Sequence, residues 1–310
     1  MTDDFRLLCA PMQGLTEAAF RAIHSREYDN GIEYYTPFIR VERGEIRPRD
    51  IADWQSSLNE GVNIIPQIIF KDVKEFDILV DELVARGAKH IDLNMGCPFP
   101  PQVKKGRGAG ILGYPDRLAE IASEMRKMGD NVKFSIKMRL GVNDATQWRS
   151  IIDIIIAMPL THITVHPRTA SQQYSGSLYL DEFKEIMDAL QYPVIFNGDI
   201  LTPDDITGLR RRFPELAGVM VGRGLFYRPS LFDEWRRGII LSDDELRANA
   251  LKFHKELASH YGTILCGDSQ ILSKIRPLIE FLEPYIERKT IKKLIKTHRF
   301  ADYSAVLNSL

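Results

Sequence analysis

Thiol, ammonium, imidazole and guanidinium groups recur in this sequence at the ends of short apolar runs. Cys97 stands in Asn94-Met95-Gly96-Cys97-Pro98, directly after the run at 90–95. Lys137 and Arg139 close the run containing Phe134-Ser135-Ile136, and His166 and Arg168 close the one after it. Asn197-Gly198-Asp199 and Gly222-Arg223-Gly224 end the last two runs, Pro11-Met12-Gln13 ends the first, and Gln67 lies inside the third. Lysine is rarely buried without a partner, so Lys137 at the end of an apolar strand is read as a cation kept for chemistry. Glycines at 198 and 222 let backbone N–H groups come close to a phosphate, and Arg223 adds charge-assisted hydrogen bonds. The pattern is that of an anion gripped at 197–199 and 222–224, with cations, an imidazole and a thiol around it.

The elements that must position these groups follow a regular alternation. Apolar runs at 7–12, 32–36, 63–70, 90–95, 132–138, 162–166, 193–197 and 218–222 read as strands. Several are apolar on consecutive residues, as in Val194-Ile195-Phe196, which suits parallel strands buried on both faces. Amphipathic segments at 73–86, 115–128, 147–158, 181–190 and 203–213 lie between them, with Pro115 and Pro203 where a first helical turn tolerates proline. Eight such units within residues 1–240 predict an α/β fold, a (β/α)8 TIM barrel. A doubly wound dinucleotide fold would carry GxGxxG after its first strand, and Cys9-Ala10-Pro11-Met12-Gln13-Gly14 does not. The glycine-rich 106–110 segment follows no strand and is read as a mobile loop. Beyond Ser242 the alternation stops, and 243–261, 269–281 and 289–297 read as helices. The expected division is a catalytic barrel over 1–240 and a small all-helical domain over 241–310.

With 41 Lys+Arg against 42 Asp+Glu and a net charge of −1, the chain has no overall basic excess, so any nucleic-acid surface must be local. The candidate is 287–299, which places Arg288, Lys292 and Lys296 on one helical face with Lys289 and Lys293 beside it. Ile291, Leu294 and Ile295 are expected to bind the core. Three cysteines without CxxC spacing argue against a disulfide framework or a zinc site, and no metal is expected. The first residues are acidic where a secretory signal would be basic, and no apolar run is long enough to span a membrane. A cytoplasmic, monomeric protein is expected.

These residues carry a resemblance. From Leu8-Cys9-Ala10-Pro11-Met12 nearly to the C-terminus the sequence resembles the dihydrouridine synthases, flavin enzymes that reduce uridines in RNA. The most specific match is Asp92-Leu93-Asn94-Met95-Gly96-Cys97-Pro98, followed by Val103-Lys104-Lys105 and Gly108-Ala109-Gly110. Further matches are Lys137-Met138-Arg139, His166-Pro167-Arg168-Thr169, Gln173-Tyr174-Ser175-Gly176, Phe196-Asn197-Gly198-Asp199 and Val221-Gly222-Arg223-Gly224. The chain departs from the family at Pro167, where glycine is usual, after Gly176, where a tryptophan is usual, and at Pro100-Pro101.

The resemblance implies FMN, its phosphate against Asn197-Gly198-Asp199 and Gly222-Arg223, with Lys137 and Gln67 at the ring and Pro11-Met12-Gln13 packed on it. His166 and Arg168 would support phosphate or substrate. Reduction of uracil takes a hydride from the flavin N5 at C6 and a proton at C5. A thiol of ordinary pKa about 8.5 is mostly protonated at neutral pH, which suits Cys97 to be the acid. Asn94 would read the base and Arg139 would steady it, while Lys292 and Lys293 would hold RNA, transfer RNA foremost. NADPH is the implied electron donor. A flavin barrel acting on a free pyrimidine such as dihydroorotate is the alternative, and it would not need the basic helix.

Overall fold

The computed structural model describes residues 5–28 and 31–310. Its strands are β1 (Arg6–Cys9), β2 (Glu33–Tyr35), β3 (Ile39–Glu42), β4 (Glu45–Ile46), β5 (Ile64–Ile65), β6 (Gln67–Ile69), β7 (His90–Met95), β8 (Lys133–Gly141), β9 (Leu160–Thr169), β10 (Val194–Asn197) and β11 (Gly218–Val221). Proline has no N–H for a strand ladder, and Pro37 and Pro66 each split one long strand in two, giving β2 with β3 and β5 with β6. Across the split, Thr36 Oγ1 accepts the Gln67 N–H at 3.0 Å. β2 pairs with β5 and β3 with β6, all parallel. The sheet then runs from β6 through β7, β8, β9, β10 and β11 to β1, which pairs with β2. The circuit closes as the expected eight-stave parallel barrel, with β4 an antiparallel addition to β3.

Alternation along the strands separates two environments. Ile91, Leu93 and Met95 of β7 belong to the large apolar cluster under the helices, so His90, Asp92 and Asn94 point into the barrel. Leu8, Ala10, Tyr35, Ile65, Ile195 and Met220 form a separate small apolar cluster inside it. The interior is therefore half apolar, toward β10, β11, β1 and β2. Its other half is polar, built from Gln67, Asp92, Ser135, Lys137, His162 and Thr164.

Helices Val73–Ala85, Pro115–Met128, Leu180–Ala189 and Pro203–Arg212 cover the outside. Asp72 accepts the Glu75 N–H at 2.9 Å, and Thr202 with Asp205 forms a capping box, so two of them start on strong capping signals. The segment expected to be one helix at 147–158 divides into a 3-10 turn, Gln147–Ser150, and a short helix, Ile152–Ile156. Its run of β-branched isoleucines is a poor helix former.

Two expectations are corrected. The 106–110 segment is no mobile loop: Gly108–Gly113 is a 3-10 helix whose first five residues are buried, and the Ala109 N–H donates to the Cys97 carbonyl at 3.1 Å. Glycine here serves close packing rather than freedom. The 269–281 segment is also broken, into helix Asp268–Ile275 and a 3-10 stretch Arg276–Leu282, because Pro277 removes an N–H.

Beyond 242 the chain is helical, with Asp243–Ile264, Arg288–Lys296 and an unforeseen Phe300–Asn308 completing the set. These helices pack directly on the barrel's outer layer. The rings of Phe20 and Phe253 lie 5.3 Å apart and those of Phe226 and Phe281 4.7 Å apart, and Lys274 donates to Glu17 at 2.6 Å. Ile291 and Leu294 are buried as expected, but Ile295, one turn on from Ile291 at the edge of that face, is 50% exposed.

Candidate active site

A cavity of about 730 Å3 opens at the C-terminal ends of the strands. Its wall takes residues from the loop after β1 (Ala10, Pro11, Met12, Gln13), from β7 and the loop after it (Asn94, Cys97), from β8 (Lys137, Arg139) and from β9 (His166). Asn197, Gly198 and Asp199 after β10, and Gly222 and Arg223 after β11, complete it. Phe281 and Glu280, from the C-terminal helices, line its rim. Lys292 and Lys293 are exposed on their helix and are not part of this wall. Gln67 also lies off the wall: it is fully buried behind Asn94, with both side-chain groups engaged by protein.

Cys97 is held from both sides. Its N–H donates to Asn94 Oδ1 at 2.8 Å, and its backbone carbonyl accepts from Ala109. A Cβ at Gly108 would sit 2.7 Å from Cys97 Cβ and 2.8 Å from its carbonyl oxygen, so only glycine lets the 3-10 helix pack so closely. Pro100 and Pro101 open the one-turn helix Pro100–Val103, whose start tolerates residues without an N–H. Burial pushes the Cys97 thiol up, against smaller opposing effects from the Phe99 backbone, Lys137 and Arg139. The thiol is a proton carrier at neutral pH, not a thiolate.

Lys137 donates to Asn197 Oδ1 at 2.8 Å, and Asn197 in turn donates to the Met220 carbonyl at 2.7 Å, which fixes its amide. Burial, reinforced by Arg139, lowers the Lys137 ammonium to about 8. Burial also lowers His166 well below its ordinary value, with Arg139, Lys137, Arg168 and Arg223 adding to the effect, so the imidazole is neutral. Arg139 donates to the Thr169 carbonyl at 2.8 Å.

Arg168, expected near phosphate or substrate, is only 3% exposed and tied to protein. It pairs with the Asp199 carboxylate, donating from Nη1 at 2.9 Å, and grips the Gly176 carbonyl through Nη2 at 2.6 Å. It braces the 198–199 turn against the loop after β9. Asp199 has a left-handed φ of 46°, and Gly198 a φ of 135° that a side chain would strain. Among the described residues no hydrogen bond is donated by the backbone N–H groups of Gly198, Asp199 or Arg223. All three belong to residues that line the cavity.

Sequence reasoning assigned no role to Tyr174 or Asp92, though both lie inside the matched motifs. The Tyr174 ring is 56% exposed on the cavity wall and has the Arg223 guanidinium 5.0 Å from its centre and that of Arg139 at 5.6 Å. An aromatic in the loop after a strand-end arginine is not a signal that spacing alone supplies.

Fold and site together define a (β/α)8-barrel protein whose strand-end cavity carries excess positive charge and one protonated thiol. Its fold is shared with morphinone reductase, which superimposes with a TM-score of 0.50 over 76% of this chain and 87% of that one at 11% identity. The family model described as Dihydrouridine synthase (Dus) matches residues 8–289, and the chain belongs to that family. A probable tRNA-dihydrouridine synthase of Staphylococcus epidermidis is 30% identical, covering 73% of this chain and 71% of the relative. One of Staphylococcus aureus is 27% identical over 97% and 92%. A tRNA-dihydrouridine(16) synthase of Neisseria meningitidis is 29% identical over 73% and 69%. Among the described residues no helix is long and apolar enough to cross a membrane, and no three His, Cys, Asp or Glu side chains cluster as a metal site would require.

Proposed function

We propose that the protein reduces a uridine of transfer RNA to 5,6-dihydrouridine, with FMN in the cavity and NADPH as the source of electrons. The observation that carries this reading is Cys97: a thiol kept protonated by burial, held by Asn94 on the wall of a cationic cavity. The residues present fit FMN. Three free N–H groups beside side-chain-free Gly198 and Gly222, with Arg223 at hand, suit a phosphate, and Lys137 suits the electron-rich edge of a ring system. When bound, FMN supplies the hydride that saturates C6.

Cys97 delivers the proton to C5 from Sγ, and the thiolate left behind regains a proton from solvent. Lys137, fixed by Asn197, holds positive charge where negative charge develops. Neutral His166 and the Arg168–Asp199 pair keep the phosphate turn in shape without adding a competing base. Arg139 and Tyr174 form a charged and aromatic wall against which an extruded base can rest. The helices of 241–310 form the RNA-binding domain, with the exposed Lys292 and Lys293 meeting phosphates. The protein acts as a monomer in the cytoplasm, where its three free cysteines stay reduced.

The deciding experiment compares wild type with Cys97→Ala in single turnover of the reduced holoenzyme on transfer RNA. Flavin content is expected to be retained while the rate of dihydrouridine formation falls by about 10²-fold or more. An undiminished rate removes the acid role. Equal turnover of free uridine and RNA would favour the free-pyrimidine reading instead.

A further inference from the structure

A directed chain of hydrogen bonds lies behind the cavity wall. Asp92, fully buried on β7, accepts from Gln67 Nε2 at 2.7 Å and from Ser135 Oγ at 2.6 Å. Gln67 Oε1 accepts from Asn94 Nδ2 at 2.7 Å. Asn94 Oδ1 accepts the N–H groups of Gly96 at 3.1 Å and Cys97 at 2.8 Å. Neither end of this chain can be reversed. Backbone N–H groups only donate, and an ionised carboxylate only accepts. The Asn94 oxygen thus has both lone pairs taken, and one of its two N–H bonds is taken by Gln67. What remains for the cavity, whose wall Asn94 forms, is a single donor.

We propose that Asp92 is a positioning residue that, through Gln67 and together with the Gly96 and Cys97 N–H groups, holds the direction of the Asn94 amide, so that the site selects a pyrimidine with a carbonyl at C4 over one with an amino group there. The inference rests on the reading that a pyrimidine enters the cavity with C5 toward Cys97. Asn94 Oδ1 accepts the Cys97 backbone N–H, so the amide and the thiol line the same part of the wall, and the pose inferred here sets C5 at the thiol and the C4 substituent at Asn94. Uracil offers an oxygen to that donor, and the same oxygen gathers negative charge when C6 accepts hydride, so the contact strengthens as reaction proceeds. Cytosine offers an amino group, and two donors then face each other with no acceptor between them. Asp92 is suited to the task because it is ionised at neutral pH: burial raises it to about 6, while Ser135, Gln67 and the nearby Lys137 hold it from rising further.

The test measures equilibrium binding of short single-stranded RNAs, each with one uridine or one cytidine among purines, to flavin-loaded protein, alongside reduction of the uridine. Wild type is expected to favour uridine by about tenfold to about a hundredfold. Asp92→Asn can still turn an acceptor to Gln67, though no longer only an acceptor, and should keep more of the preference than Asp92→Ala. Asp92→Ala removes that acceptor and should collapse the preference to about twofold or less while retaining flavin. If Asp92→Ala does not fold, a carboxylate swap tests the same point. Gln67→Glu sets two carboxylates against each other and should abolish the preference, whereas Gln67→Glu with Asp92→Asn restores a donor–acceptor match and should recover it. An undiminished preference in Asp92→Ala, or a swap no better than Gln67→Glu alone, overturns the role of Asp92. A wild type that reduces uridine yet binds both RNAs equally overturns this inference and leaves the proposed function standing. A wild type that reduces no uridine fails both.

Discussion

Replacing Gly108 by alanine should damage both the fold and the chemistry, and the structure separates the two effects. The residue has φ +57°, and an L side chain in the left-handed region costs roughly 1–2 kcal/mol. The new Cβ would also lie 2.7, 2.8 and 3.1 Å from Cβ, O and N of Cys97, which must move, adding about 1–3 kcal/mol of overpacking. A loss of about 2–5 kcal/mol is expected, enough to lower the melting temperature by roughly 3–8 °C in a chain this size. A displacement of the thiol near 1 Å would slow the proton transfer by about 10²-fold. Gly106→Ala is the control. It sits at φ +74°, but its Cβ would meet the Tyr114 ring and Arg117 guanidinium at 3.0 and 3.1 Å, both able to swing away. That variant should lose stability yet keep the rate per folded, flavin-loaded molecule. Thermal melts followed by flavin release, together with single-turnover reduction of RNA, read the two effects. If Gly108→Ala matches Gly106→Ala in rate, Cys97 is not positioned by the 3-10 helix beneath it.

Lys137 is lowered to about 8 by burial and by Arg139, so its ammonium form is lost as pH rises through that value. Turnover should decline above about pH 8, where an ordinary lysine would hold its charge to about 10.4, and Lys137→Met should be slow with no such limb. Because burial raises the Cys97 thiol, iodoacetamide at pH 7 should label the exposed Cys266 well before Cys97, as mass spectrometry of the peptides would show. Changing Lys292 and Lys293 to alanine should weaken RNA binding and reduce the slope of log K against log salt by about 0.7–0.9 for each phosphate that is no longer neutralised; an unchanged slope would move the RNA surface elsewhere.

The barrel was legible because its signal is repeated: apolar runs with polar strand ends recur through the first 240 residues, and each strengthens the reading of the others. Pro115–Met128 carries its own start signal, and the helix forms over those residues. What escaped was of another kind. Pro37 and Pro66 split strands that run on as one stave, because closure of the sheet outweighs the local break. The buried 3-10 helix at Gly108–Gly113 looked mobile because glycine marks both freedom and close approach, and only the neighbour at 2.7 Å tells which applies. Ile295 looked like a core residue because Ile291, Leu294 and Ile295 suit one helical face equally well in sequence. Gln67 and Arg168 carry the right chemistry for a ligand, yet each is occupied by Asp92 or Asp199. Such partners come from other strands and have no trace in local spacing.

Those occupied residues explain why half of the barrel interior is polar. A strand-end site with Lys137, Arg139, Arg168 and Arg223 needs compensating charge nearby, and buried charge without partners is costly. Asp199 meets two of the arginines at the rim. Asp92 supplies the rest from within, two residues below Asn94 on the same face of β7. Holding that carboxylate ionised takes the Ser135 hydroxyl, and Ser135 in turn meets His90 Nε2 at 3.0 Å. Burial lowers His90 to about 4 and His162 to about 2, so both imidazoles stay neutral and extend the network without adding charge. His162 meets the Tyr35 hydroxyl at 3.0 Å, where the polar half reaches the apolar half. Filling the positions of Asp92 and Ser135 with leucine or valine would raise apolar burial. It would also leave Gln67 Nε2 without an acceptor and Lys137 without its counter-charge, so a better-packed barrel of this kind would be a worse site.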